Sequence, residues 1–88
     1  MSESDDRPRR VDGLTGVVRR GPFGAGSKSE RIAVWIDTDD GSFVLRRKGE
    51  PTYGDRALDR YVGHRVVCDG FIVDYTLLAE LIRILPSR

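Results

Sequence analysis

Apolar and polar residues alternate most regularly over Glu30–Thr38, where Ile32, Val34 and Ile36 fall on one face and Ala33, Trp35 and Asp37 on the other. A period of two marks a strand with one buried face. Asp39-Asp40-Gly41 follows, and an Asp-Gly pair supports the positive φ of a tight turn. Ser42–Lys48 then returns with Phe43 and Leu45 on one side and Val44 on the other, which predicts a β-hairpin. Upstream, Gly13–Arg20 carries Leu14, Val17 and Val18, with Gly16 placed to mark a bulge or bend. Gly21–Ser29 between these strands has the glycine and serine content of a flexible loop.

The pattern changes after Lys48. Gly49–Gly54 is broken by Pro51, and Asp55 is suited to cap a helix running to about Tyr61. Ala57, Leu58, Tyr61 and Val62 follow the spacing of one apolar helical face, and Gly63 suits its C-terminal end. A helix of barely two turns is unstable alone, so it is predicted to dock against the sheet. His64–Asp74 reads as a fourth strand with Gly70 at a bend, and Leu77–Leu85 as a fifth. Tyr75-Thr76 joins them. The inward face of the fifth strand stays open, because a bulge would invert its register.

The predicted order is β-β-β-α-β-β: an all-β chain with one short helix, the connectivity of a five-stranded OB-like Greek-key barrel. The stretch Tyr61-Val62-Gly63-His64-Arg65-Val66-Val67-Cys68-Asp69-Gly70, followed by Leu77-Leu78-Ala79-Glu80 and Ile82–Leu85, resembles the second half of many bacterial OB-fold domains. The resemblance covers Leu14–Leu85 as topology and the C-terminal third as sequence texture. It implies a binding surface across the second and third strands, flanked by the first loop and the loop between strands four and five. OB-folds host many functions, so the ligand is not implied.

Composition narrows the class. At 88 residues there is room for one domain. Residues 1–11 are almost wholly polar and are predicted to form a disordered tail, with the folded domain at 12–86. No stretch has the form of a secretory signal or approaches the ~18 apolar residues that span a bilayer. A single cysteine, Cys68, excludes an internal disulfide and a multi-cysteine zinc site. A cytoplasmic protein without membrane, metal or cofactor partners is expected. The net charge of +1 gives no bulk attraction to polyanions, so any nucleic-acid surface must gather its cations on one face.

The predicted binding regions hold such residues. Arg19, Arg20, Phe23, Lys28 and Arg31 lie around the first loop, Trp35 on the second strand, Arg46, Arg47 and Lys48 on the third, and Tyr75 between the last two. Single-stranded nucleic acid is held by cations along its phosphates and flat side chains under its bases. The candidate set is Arg20, Phe23, Lys28, Trp35, Arg46, Arg47, Lys48 and Tyr75, for single-stranded DNA or RNA. Asp37, Asp39 and Asp40 beside Trp35 oppose it, and alternation separates Arg46 and Lys48 from Arg47. The alternative is a protein-interaction adaptor that engages a partner through the glycine-rich loop, with Phe23 as anchor, and a sheet edge.

Other motifs do not carry chemistry. The glycine-rich loop lacks the spacing of a P-loop and precedes a strand instead of a helix. Asp37-Thr38-Asp39-Asp40-Gly41 opens like a calcium loop, but Lys48 stands where the bidentate glutamate belongs. His64 and Cys68 are the one nucleophile–base pairing by type, and four strand residues hold them ~13 Å apart. A non-catalytic binding module is therefore expected.

Overall fold

A computed structural model describes residues 8–23, 31–49 and 56–86 of the chain. Five strands form one sheet: β1 (Arg9–Phe23), β2 (Arg31–Thr38), β3 (Gly41–Arg47), β4 (Arg65–Val73) and β5 (Thr76–Ile84). A 3-10 helix, Arg56–Tyr61, lies between β3 and β4. The sheet closes on itself in the order β1-β2-β3-β5-β4 and back to β1. The β3–β5 contact is parallel, from Val44↔Thr76 to Arg47↔Ala79, and all others are antiparallel. The described residues are all-β with one helical turn, and their ring order is compatible with an OB-like topology.

Closure places unequal demands on β1. Its first half pairs with β4 and its second half with β2, and Gly16 and Val17 pair with both at once. Gly16 is buried at this crossover, where a Cβ would stand 2.5 Å from the Asp37 carbonyl oxygen and 2.7 Å from Ile36 Cγ1. The bend predicted there is a close approach of three strands. Gly70 plays the same part in β4, since a Cβ on it would collide with the Leu78 carbonyl oxygen. The register shifts beside it, between Asp69 and Gly70.

That bulge settles the inward face of β5. Leu77 and Ala79 are buried before it, and Ile82 packs on the core after it, so the apolar parity changes from odd to even. Val18, Ile36, Leu45, Val66, Cys68 and Leu77 are the largest fully buried side chains. Removing such an aliphatic group from water contributes ~1.5–3 kcal/mol. On β2 the predicted inward face grades from Ile36, fully buried, to Ile32, 66% exposed where the strand leaves the ring.

Three expectations are corrected. β1 starts at Arg9, so residues 9–11, assigned to the tail by their polarity, pair with Ile72, Phe71 and Gly70; residues 1–7 lie outside the described residues. The neighbouring strand supplies the ladder that burial alone does not. A bulge between Val11 and Leu14 follows, held by a hydrogen bond from Gly13 N–H to Asp69 Oδ1 at 2.7 Å. Second, β1 runs on through Phe23, which pairs with Arg31, so Gly21–Phe23 belong to the strand instead of the loop.

The third concerns the helix. It is 3-10 in form, as suits so short a piece. Leu58 is buried and Tyr61 and Val62 pack on the core, whereas Ala57 is exposed; the predicted cap Asp55 lies outside the described residues. Backbone bonds from Gly63 N–H to Val18 C=O (2.7 Å) and from Val18 N–H to His64 C=O (3.0 Å) fasten the segment to β1. In the β2–β3 turn, Asp39 and Asp40 form the loop and Gly41, at φ 129°, begins the returning strand. The β4–β5 turn instead uses Asp74, at φ 55°, a residue type that tolerates this region.

Gly70→Ala should lower unfolding stability by about 3 kcal/mol, because its methyl group meets backbone that cannot rotate away. Urea denaturation measures this, and an unchanged midpoint would contradict the close-approach account.

Candidate nucleic-acid interface

The outer side of the closed sheet carries residues of opposite parity to the core. Arg19, Trp35, Val44 and Thr76 align as cross-strand neighbours over β1, β2, β3 and β5, with Val44 buried within the row. Trp35 is half-buried in the centre of this row, with the guanidinium of Arg19 5.4 Å from its ring centroid. Gly21, next along β1, leaves the space they occupy: a Cβ there would stand 2.5 Å from an Arg19 nitrogen and 3.2 Å from Trp35 Cδ1.

Asp37 does not act as a loose negative charge beside the indole. Arg19 Nε donates to its Oδ2 at 2.7 Å and Ser42 Oγ to its Oδ1 at 2.6 Å. Arg19, and after it Ser42, hold the Asp37 carboxyl below its ordinary range. Asp39 and Asp40 remain exposed at the turn, where Asp40 N–H donates to Thr38 Oγ1. The β4–β5 turn approaches from the other side. The Tyr75 carbonyl accepts a hydrogen bond from Val44 N–H at 2.7 Å, and the Tyr75 side chain is 72% exposed.

Further along the same outer side, Arg46, Leu78, Phe71 and Arg10 are aligned across β3, β5, β4 and the start of β1. Arg10 and Lys48 lie over the Phe71 ring at 5.2 and 5.4 Å from its centroid. Glu80 joins them, with Oε1 3.0 Å from Arg10 and Oε2 3.0 Å from Lys48. Lys48, assisted by Arg10, holds the Glu80 carboxyl below its ordinary range. Arg10 also bridges to Asp12.

The predicted set divides accordingly. Trp35 and Arg46 share the parity of the outer side, and Tyr75 stands at the adjoining β4–β5 turn. Lys48 joins Phe71 instead. Arg20 leaves the set: it has the parity of buried Val18 and bridges to Asp59 of the 3-10 helix at 2.9 Å, at the end of the ring. Arg47 shares the parity of buried Leu45 and is registered against buried Ala79, so it is not on the wall. Phe23 is placed as backbone at the end of β1; its side chain, and all of Lys28, lie outside the described residues.

Arg19, not Arg20, is the cation on Trp35, which strand parity encodes once the register of β1 is known. Phe71, Arg10 and Glu80 were missed for different reasons. Arg10 lay in the supposed tail, and the bulges hid which residues of β4 and β5 face outward.

His64 is exposed and Cys68 fully buried, so they form no nucleophile–base pair. Burial, with Asp69 adding to it, pushes the Cys68 thiol up to about 12. Among the described residues no cluster of three or more His, Cys, Asp or Glu is placed to hold a metal ion, and no helix is long and apolar enough to cross a membrane. No protein-family model, curated protein or solved structure matches the chain.

Cys68 should resist thiol reagents at pH 8 in the folded protein and react at once in urea; rapid native labelling would contradict its burial. The two carboxylates give a second expectation. Their folded pKa values are lowered, so the stability they contribute is present above the ordinary range, ~pH 4, and is lost as the pH falls through the lowered values. Because both bridges are exposed, the loss is modest. Urea midpoints should fall below ~pH 4 and fall less in a D37N/E80Q variant; equal acid dependence in the two proteins would contradict this.

Proposed function

We propose that the chain is a non-catalytic OB-like barrel that binds single-stranded nucleic acid across β2 and β3. The observation that carries this reading is the contact between Arg19 and Trp35, in the row that continues through Val44 to the β4–β5 turn. A base requires a flat surface, and Trp35 or the guanidinium plane upon it supplies one. A phosphodiester requires cations beside that surface, and Arg19 and Arg46 supply them. Tyr75 at the adjoining turn adds an exposed ring. Stacking and phosphate contacts are common to DNA and RNA, so both should bind.

One observation favours the adaptor reading. Among the described residues, Leu81–Ile84 of β5 pair with β4 alone, beyond the last β3 partner Ala79, and Leu81 and Ile84 are 45% and 37% exposed. Such an edge accepts an added strand. It lies apart from Trp35, so the two readings call for different residues.

Titration with unstructured oligodeoxythymidine and oligouridine at two salt concentrations separates them. Binding should quench Trp35 fluorescence and weaken with salt by ~0.7 in log–log slope for each phosphate contacted. Trp35→Leu should reduce affinity roughly tenfold, the loss of one stacked base. Absence of binding at low ionic strength would overturn the proposal.

A further inference from the structure

We propose that Phe71, with Arg10 and Lys48 over its ring, is a second nucleotide station of the same interface, and that Glu80 holds the phosphate position until nucleic acid displaces it. This rests on the reading of the Trp35 wall as a nucleic-acid surface, and extends that surface beyond β2 and β3.

The geometry is that of an anion shared by two cations. Arg10 comes from the first residues of β1 and Lys48 from the residue after β3, yet each meets a different oxygen of one carboxylate at 3.0 Å. A phosphodiester presents the same pair of charge-bearing oxygens. Beneath these cations is an aromatic ring, so the flat surface offered to a base is the Arg10 guanidinium that Phe71 supports, beside a two-pronged anion clamp. Glu80 is itself partly exposed, so it can swing into water when a phosphate takes its partners.

Phe71 also lies on a continuous path from Trp35. Trp35 neighbours Val44; two residues further along β3, Arg46 is aligned with Leu78, and Leu78 with Phe71. Three interstrand steps of ~4.8 Å and a two-residue offset of ~7 Å along β3 separate the two rings, ~16 Å measured diagonally across the wall. That span suits the footprint of ~4–16 nucleotides that such folds cover. Arg46 stands between the stations as an intermediate phosphate contact. Each station has the same internal plan: a cation on a ring, held by a carboxylate (Asp37 at the first, Glu80 at the second).

A solely structural role for the Glu80 bridge makes the opposite prediction to a phosphate stand-in. If it serves only to hold β1 to the sheet, removing its charge brings no gain in binding. The 88-residue wild type, Glu80→Gln, Phe71→Leu, Phe71→Tyr and Asp59→Asn are titrated with fluorescent oligodeoxythymidine at two salt concentrations. Thermal melts establish that each is folded. Glu80→Gln should bind about three- to tenfold tighter at low salt, because no carboxylate has to be displaced, with a salt slope no shallower than that of wild type. Asp59→Asn changes net charge equally but frees Arg20 off the path, and should gain clearly less.

Phe71→Leu should bind about five- to tenfold more weakly, and Phe71→Tyr, which keeps a ring, should bind as wild type. If Glu80→Gln gains no more than Asp59→Asn, or Phe71→Leu binds as wild type, while the oligonucleotide still quenches Trp35, the second station is wrong and the Trp35 reading stands. If no variant binds at all, both fall.

Discussion

Gly16 and Val17 are hydrogen-bonded between two partners at once, β2 on one side and β4 on the other, and the closed sheet depends on that shared stretch. A strand that serves two neighbours must bend sharply while keeping its ladders intact. Glycine at 16 admits the Asp37 carbonyl, and glycine at 70 admits that of Leu78. The two bulges, one in β1 and one between β4 and β5, take up the remaining register mismatch. With the ring so coiled, the parallel β3–β5 contact completes it and the apolar faces meet inside.

The same coiling arranges the outer wall. It sets Arg19 across from Trp35, and it carries the start of β1 round to Phe71, far along the sheet from its second half. Cations from separate strands thereby reach two aromatic rings. Exposed ion pairs contribute little to stability, so the Arg19–Asp37 and Arg10–Glu80–Lys48 bridges act chiefly by fixing where charge sits. Charge that is held in place but not buried is available to a polyanion. The proposed nucleic-acid reading needs such local placement, because a net charge of +1 gives no bulk attraction.

Element order was legible in the sequence because period-two alternation in Glu30–Thr38 and Ser42–Lys48, and the glycine-marked turns, are local signals. The bend at Gly16 and the break at Gly70 were legible for the same reason. What escaped were the consequences of pairing. Arg9 and Arg10 have no burial of their own, and become strand because β4 offers a ladder and Phe71 offers a ring, while Val11 packs on the core. The parity of Arg19 and Arg20 is plain only when the register against β2 is known, and the inward face of β5 depends on a bulge that no residue in it announces. Trp35 was identified from its place on β2, whereas its partner Arg19 required the fold.

Amide chemical-shift mapping of the isotopically labelled chain with an unstructured oligonucleotide at low salt tests the central claim most directly. Shifts should concentrate on Arg19, Trp35 with its indole N–H, Val44, Arg46 and Tyr75, and leave Thr15, Val67 and Arg83 on the opposite wall in place. Shifts centred on those last three residues, or none anywhere, would contradict the account.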